Sequence, residues 1–320
     1  LSAVLASDGT TAGGGTLNGT LTIAASSGVA TYSGLDYTKV ESIRLKALSG
    51  SLTAVNSAQI AISHAAASSL SVTGITASST AGTASDVAVT VKDAYNNTVT
   101  TGYAGTVRWT STDAQAILPG DYTFVSGDNG THAWTSGVTL KTAGSQSVTA
   151  TDTVTTTITG AQSGITIGHA SAVSLSWTTQ PVSAIAAGAI FTPSPIVTIL
   201  DSYGNTVLTA TNNVILSIVT NPVNGTLSGT TTVAAVSGVA TFSGLSISKA
   251  ASGYVLKATS DPLPVANSNT FAIVPAAATK INFVSSAKTG SYPTSSNPWG
   301  VAFDSSTNSI WVANNNSLTV

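Results

Sequence analysis

Two phrases recur along this chain at fixed intervals. GVATYSGL at residues 28–35 returns as GVATFSGL at 238–245, 210 residues on. VKDAYNNTV at 91–99 returns as ILDSYGNTV at 199–207, with 108 residues between Asp93 and Asp201. HAAASS at 64–69 and HASAVS at 169–174 stand 105 residues apart. A step of about 105 residues fits all three intervals, since 210 is two such steps. Self-similarity at a fixed period means one folding unit used several times, so a fold that suits one copy must suit the others.

The pattern inside one period names the element type. Residues 64–169 carry apolar side chains on alternate positions at Leu70-Val72, Val87-Val89-Val91, Val107-Trp109, Val138-Leu140, Val148-Ala150 and Ile165-Ile167. Period-two alternation buries one face of a strand and wets the other. Turn signals separate the runs: TGYAG, LPGD, SGDNG and KTAGS. Seven or so short strands with turns every 8–12 residues predict an all-β sandwich. Residues 170–275 read the same way, with Pro193 and Pro195 at the entry to one strand. No helix is expected anywhere, because strong helix formers are scarce and Glu41 is the only glutamate. Eight residues are predicted to face the cores: Val107, Trp109, Val148, Val197, Ile199, Leu216, Leu245 and Leu256.

Residues 1–63 match only the second half of a period. GTLNGTLTIAASSGVATYSGL at 15–35 falls on GTLSGTTTVAAVSGVATFSGL at 225–245, IRLKAL at 43–48 on YVLKAT at 254–259, and AQIAIS at 58–63 on NTFAIV at 269–274. The expected division is a half-module at 1–63, complete modules at 64–169 and 170–275, and the start of a further β domain at 276–320. The half-module is expected to be an incomplete sandwich with an unpaired edge, since it lacks partners for its inner face. In the last segment, strands at 299–303 and 309–312 are expected to form a hairpin around DSSTN. That segment reads either as one strand pair of a propeller blade or as the front half of a fourth module. In the second case, one copy's tail could complete the next copy's 1–63 and give head-to-tail self-association.

Composition limits the function classes. Charged residues make up 7% of the chain, against about 25% in ordinary domains. A net charge of −2 gives no grip on nucleic acid. No run of 18 apolar residues is present, so no membrane insertion is expected. With 0 Cys there is neither a disulfide framework nor a thiolate metal site. A Cys-free, Thr-rich, charge-poor chain suits an exported bacterial protein that folds without redox help. Leu1 opens in mid-phrase, so an export signal is expected outside these residues.

Candidate chemistry is sparse. Asp93/Asn97, Asp201/Asn205 and Asp304/Asn308 share the spacing D-x-x-x-N. Such a pair can contribute oxygens to a Ca²⁺ site or cap a tight turn through local backbone bonds. The turn is the expectation, since no second acid lies nearby in sequence. His64, His132 and His169 are too dispersed for zinc, which needs three or four convergent ligands. G-x-S-x-G is absent, and nothing points to a nucleophilic triad or a carboxylate pair. Trp109, Trp134 and Trp177 could stack on sugar, but alternation with Val107 and Leu175 places Trp109 and Trp177 in cores. No catalytic residue, metal or cofactor is expected.

The phrases DAYNNTV, DSYGNTV, GVATxSGL and LKATS resemble those of bacterial immunoglobulin-like (Big-type) tandem repeats of surface proteins, over residues 1–274. The tail phrase PWGVAFD…IWVAN is similar to a strand pair of an NHL-type β-propeller. The resemblance implies a stalk or spacer at the cell surface or outside the cell, with no catalysis in these residues. It implies two alternatives as well: an adhesin array that binds a host or matrix protein or carbohydrate through sandwich loops, and spacer modules of a larger surface enzyme with a downstream propeller.

Overall fold

The computed structural model describes residues 1–277 and, of the remainder, the backbone of Gly300–Asp304, Ser309–Asn314 and Ser317–Thr319. The chain is all-β, built of Ig-like sandwiches; its one helical element among the described residues is a three-residue 3-10 turn, Ser126–Asp128. It divides into two compact units, Leu1–Ala276 and Ala277–Val320.

Two separate cores lie in the first unit. In residues 64–169, a sheet ordered Tyr122–Thr123, Thr106–Ser111, Gly144–Asp152, Thr159–Gly168, Ser78–Thr80 faces a sheet ordered Thr131–Thr139, Ala84–Asp93, Ala67–Thr73. Residues 170–275 repeat this plan. Ser174–Thr179, Ile196–Leu200 and Val239–Thr241 make the small sheet. Ala184–Ala186, Phe271–Val274, Ala251–Ser260, Asn213–Thr220 and Thr232–Ala234 make the large one. Ser78–Thr80 and Ala184–Ala186 each join the edge of their large sheet by a parallel pairing.

The alternation read from the sequence sets the register. Val87, Val89 and Val91 point inward from one strand, at 1% exposure or less. All eight predicted core residues are buried, none more than 6% exposed. A slip of one residue would have turned all of them to water. Trp109 lies against Trp134 edge-to-face, with ring centroids 5.2 Å apart at 90°. Trp177 donates its Nε1–H to Ala266 O at 3.2 Å, which satisfies a polar atom inside a core.

Residues 1–63 form a thinner structure. Ser42–Ala47 pairs with Ser2–Leu5, Val55–Asn56 and Ile60–Ala61, and Leu17–Asn18 pairs with Asp36–Tyr37. No counterpart of Ser174–Thr179 or Ile196–Leu200 is found among these residues. The inner face shows the effect. Ala240 and Phe242 are fully buried, whereas Ala30 is exposed and Tyr32 only half-buried. Val29 is 64% exposed, and neither core cluster draws on residues 1–63.

In the second unit, Gly300–Asp304 pairs with Ser309–Asn314, which pairs with Ser317–Thr319, all antiparallel. The expected hairpin is therefore present, with a third strand added. This meander differs from a module's front half. There, Ile196–Leu200 pairs with Ser174–Thr179 and Val239–Thr241, and the next strand, Asn213–Thr220, lies in the other sheet.

Candidate functional site at the module junctions

The two D-x-x-x-N turns come out as one structure built twice. Asp93 Oδ1 accepts the backbone N–H of Tyr95 at 2.9 Å and of Asn97 at 2.8 Å. Its Oδ2 accepts Ala65 N–H at 2.9 Å and an Asn97 amide proton at 3.0 Å. Asp201 does the same with Tyr203 (2.9 Å), Asn205 (2.8 Å), Ala170 (2.8 Å) and the Asn205 amide (2.8 Å). The fourth turn residue sits in the left-handed region, Asn96 at φ 66° and Gly204 at φ 86°. Asparagine and glycine are the residues that take this conformation readily.

Each carboxylate thus fastens its own turn and the linker entering its module. Burial pushes the Asp93 and Asp201 carboxyls up, but bonds from the asparagine side chain and three backbone N–H groups outweigh it and hold both below the usual range. A calcium ion would need these lone pairs, and they already accept hydrogen bonds from N–H groups. Among the described residues no three His, Cys, Asp or Glu gather as a metal site would require.

The asparagine side chain then crosses into the preceding module. Asn97 donates Nδ2–H to Thr38 O at 2.9 Å and accepts Val40 N–H on Oδ1 at 3.1 Å. Asn205 donates to Lys141 O at 2.8 Å and accepts Ala143 N–H at 2.8 Å. In both, one amide group bonds the C=O of one residue and the N–H of the residue two further on, as a neighbouring strand would. The second amide proton goes to the aspartate, so the side chain's main hydrogen-bonding capacity is met.

The receiving loop is itself fastened. Asp113 accepts Lys141 N–H at 2.5 Å and Thr142 N–H at 2.9 Å on Oδ2, and Gln115 N–H and the Thr142 hydroxyl on Oδ1. Burial raises this carboxyl, and the bonds from Thr142, Lys141 and Gln115 overcome it and lower it. Gln115 also donates Nε2–H to Tyr203 O at 3.2 Å. The Tyr203 ring lies on Gly82, where an added Cβ would come 2.0 Å from the phenol oxygen. Lys141 Nζ stands 5.9 Å from the ring centroid. Tyr95, at the matching place in the earlier turn, is 52% exposed. Residues 1–63 hold no counterpart of the Gly82 segment for it to rest on.

His64 and His169 also repeat. His64 Nδ1 bonds Ala65 O at 2.9 Å and Nε2 accepts Thr101 N–H at 3.3 Å, which assigns the Nδ1–H tautomer. His169 Nδ1 bonds Ala170 O at 2.9 Å and Nε2 faces the Thr209 hydroxyl at 3.3 Å. Each histidine borders an open groove, of about 300 Å³ beside His64 and about 480 Å³ beside His169. His132 stands elsewhere, stacked on Tyr122 at 3.7 Å and bonded to Asp128 at 3.2 Å. The structure brings no serine, histidine and aspartate together as a triad among these contacts. Trp109 and Trp177 lie in cores, and Trp134 is half-buried. Asp304, Asn308, Trp299 and Trp311 fall outside the residues whose side chains are described.

Reading the sequence finds the turn and misses its reach. The retained Asn97 and Asn205 beside a variable neighbour, Asn96 or Gly204, was the available signal. The receiving residues give none, since Thr38-Lys39-Val40 and Lys141-Thr142-Ala143 share no residue position by position.

No family model matches the chain, and no curated protein matches it. Solved structures do. The Escherichia coli adhesin FdeC is 18% identical, with 76% of each chain covered and a TM-score of 0.32. The Yersinia pseudotuberculosis adhesin InvE is 15% identical over 64% of this chain and 58% of its own, with a TM-score of 0.26. A glycosyl hydrolase family 2 member from Bacteroides cellulosilyticus is 14% identical over 60% of this chain, with a TM-score of 0.29. The chain spans 23% of that hydrolase's length.

Proposed function

We propose that residues 1–276 serve as a stalk or spacer of an exported bacterial surface protein, in which each sandwich is clasped to the one before it. The observation that carries this reading is the repeated Asp–Asn clasp. The same two hydrogen bonds tie Asn97 to Thr38 and Val40, and Asn205 to Lys141 and Ala143, and in both the second amide proton goes to the turn's own aspartate. A clasp of fixed geometry at successive junctions restricts bending between neighbours, which a spacer needs and a freely jointed array does not. An adhesive surface lined with aromatic rings has less support. Tyr95 is the one aromatic residue among the exposed large side chains of the described residues.

The test is a distance distribution across one junction. The chain has 0 Cys, so spin labels at Thr110→Cys and Thr232→Cys, both exposed, report only the intended pair. A narrow distribution is expected, broadening on Asn205→Ala with both sandwiches still folded. A distribution equally broad with and without Asn205 would sink the proposal.

A further inference from the structure

The far end of residues 170–275 repeats the receiving surface that accepts Asn205 and Tyr203 at the previous junction. In that occupied surface, Gly82 N–H donates to Leu140 O at 2.8 Å and Ala81 N–H to Gly168 O at 2.8 Å. At the far end, Gly188 N–H donates to Ile247 O at 2.8 Å and Ala187 N–H to Val274 O at 2.8 Å. Gly82 and Gly188 share the left-handed conformation, at φ 85° and 77°. Leu140 and Ile247 thus correspond, which sets Ser248 O and Ala250 N–H at the places of Lys141 O and Ala143 N–H.

A second alignment agrees, through the junction occupied by Asn97. Thr38 N–H bonds Thr16 O at 3.2 Å while Thr16 N–H bonds the Thr38 hydroxyl at 2.9 Å. Ser248 and Thr226 repeat this exchange at 3.2 and 3.0 Å. The Tyr254 hydroxyl donates to Lys249 O at 2.8 Å and holds the loop from beneath. The module's own bonds therefore suffice to build the surface.

Its occupancy differs. A Cβ at Gly82 would strike Tyr203, while one at Gly188 would meet nothing within 4 Å among the described residues. No hydrogen bond to Ser248 O or Ala250 N–H is found among them either. We infer that Gly188, Ser248 and Ala250 form a docking surface for a further Ig-like module that presents a D-x-Y-x-N turn. Its asparagine amide bonds Ser248 O and Ala250 N–H, and its tyrosine ring rests on Gly188. The inference rests on the clasp reading above and extends the established interface by one step.

The test keeps the full chain and inserts a second copy of residues 169–274 after Val274. Amide hydrogen exchange at Ala250 is the readout, with Ala143 as internal standard. Exchange at Ala250 is expected to slow at least tenfold on insertion, toward the rate of Ala143. It is expected to return to its starting rate when the inserted turn carries Asn205→Ala, and part of the way with Tyr203→Ser. An unchanged Ala250 rate, while core amides of the inserted copy are protected, overturns the inference. The two readings fail separately. If Asn205→Ala in the natural turn leaves Ala143 exchange unaltered, the clasp itself is wrong. If Ala143 responds and Ala250 does not, only the docking surface is wrong.

Discussion

Asn205 makes its cross-module bonds from a side chain 9% exposed, so its replacement strands partners that water reaches poorly. Asn205→Ala leaves Ala143 N–H and Lys141 O without their acceptor and donor. A loss of about 1–3 kcal/mol follows from such stranded groups, measurable by urea unfolding. Asn205→Asp is expected to cost more, because it sets a carboxylate against Asp201 and against Lys141 O. The aspartates give the joint a pH dependence of definite sign. Asp93, Asp113 and Asp201 are held below their ordinary range in the folded chain. Their contribution is complete above the unfolded carboxyl value of about 3.9 and is lost as pH falls through the lowered values. The melting temperature is expected to be flat from neutral pH to about 5 and to drop below about 4. Asp201→Asn should shrink that drop, and an undiminished drop would remove Asp201 from the account.

At the scale of strands, Leu256 is fully buried in the core of residues 170–275. Leu256→Ala is expected to cost about 2–5 kcal/mol. The same change at Leu48, 65% exposed just past the strand Ser42–Ala47, is expected to stay within about 0.5 kcal/mol. Denaturation curves of the two variants compare them directly. Strands such as Ala84–Asp93 were readable because Val87, Val89 and Val91 alternate with polar residues, and a buried face leaves that imprint. Short edge strands such as Ser78–Thr80 and Ala184–Ala186 left no imprint. They hold their places by parallel backbone pairing, which any residue with an N–H can make. The clasp was half readable for the same reason. Asp93 and Asp201 announce a turn through side-chain chemistry, whereas Thr38 and Lys141 contribute only carbonyl oxygens.

Across the whole molecule, cohesion comes from apolar burial and backbone bonds with little help from charge. Two pairs between a lysine or arginine and a carboxylate occur among the described residues, Lys39–Glu41 and Arg108–Asp121, and the second is well exposed. Exposed pairs of this kind contribute about 0–1 kcal/mol. Raising sodium chloride from low to half-molar concentration is therefore expected to move the melting temperature by no more than a degree or two. A chelator is expected to leave it unchanged, since the junction carboxylates are spent on N–H groups. A fall of several degrees with EDTA in a calorimetric scan would reopen the calcium reading of Asp93 and Asp201.

An interface that reads backbone atoms places no demand on the identity of the residues it reads. Thr38 through Val40 and Lys141 through Ala143 already show two unrelated spellings of one surface. Proline at position 40 or 143 is the substitution that surface forbids, since it removes the N–H that the asparagine accepts. A lineage carrying such repeats can therefore vary the residues that the asparagine reads without a compensating change in the turn, provided that the glycine beneath the tyrosine is kept.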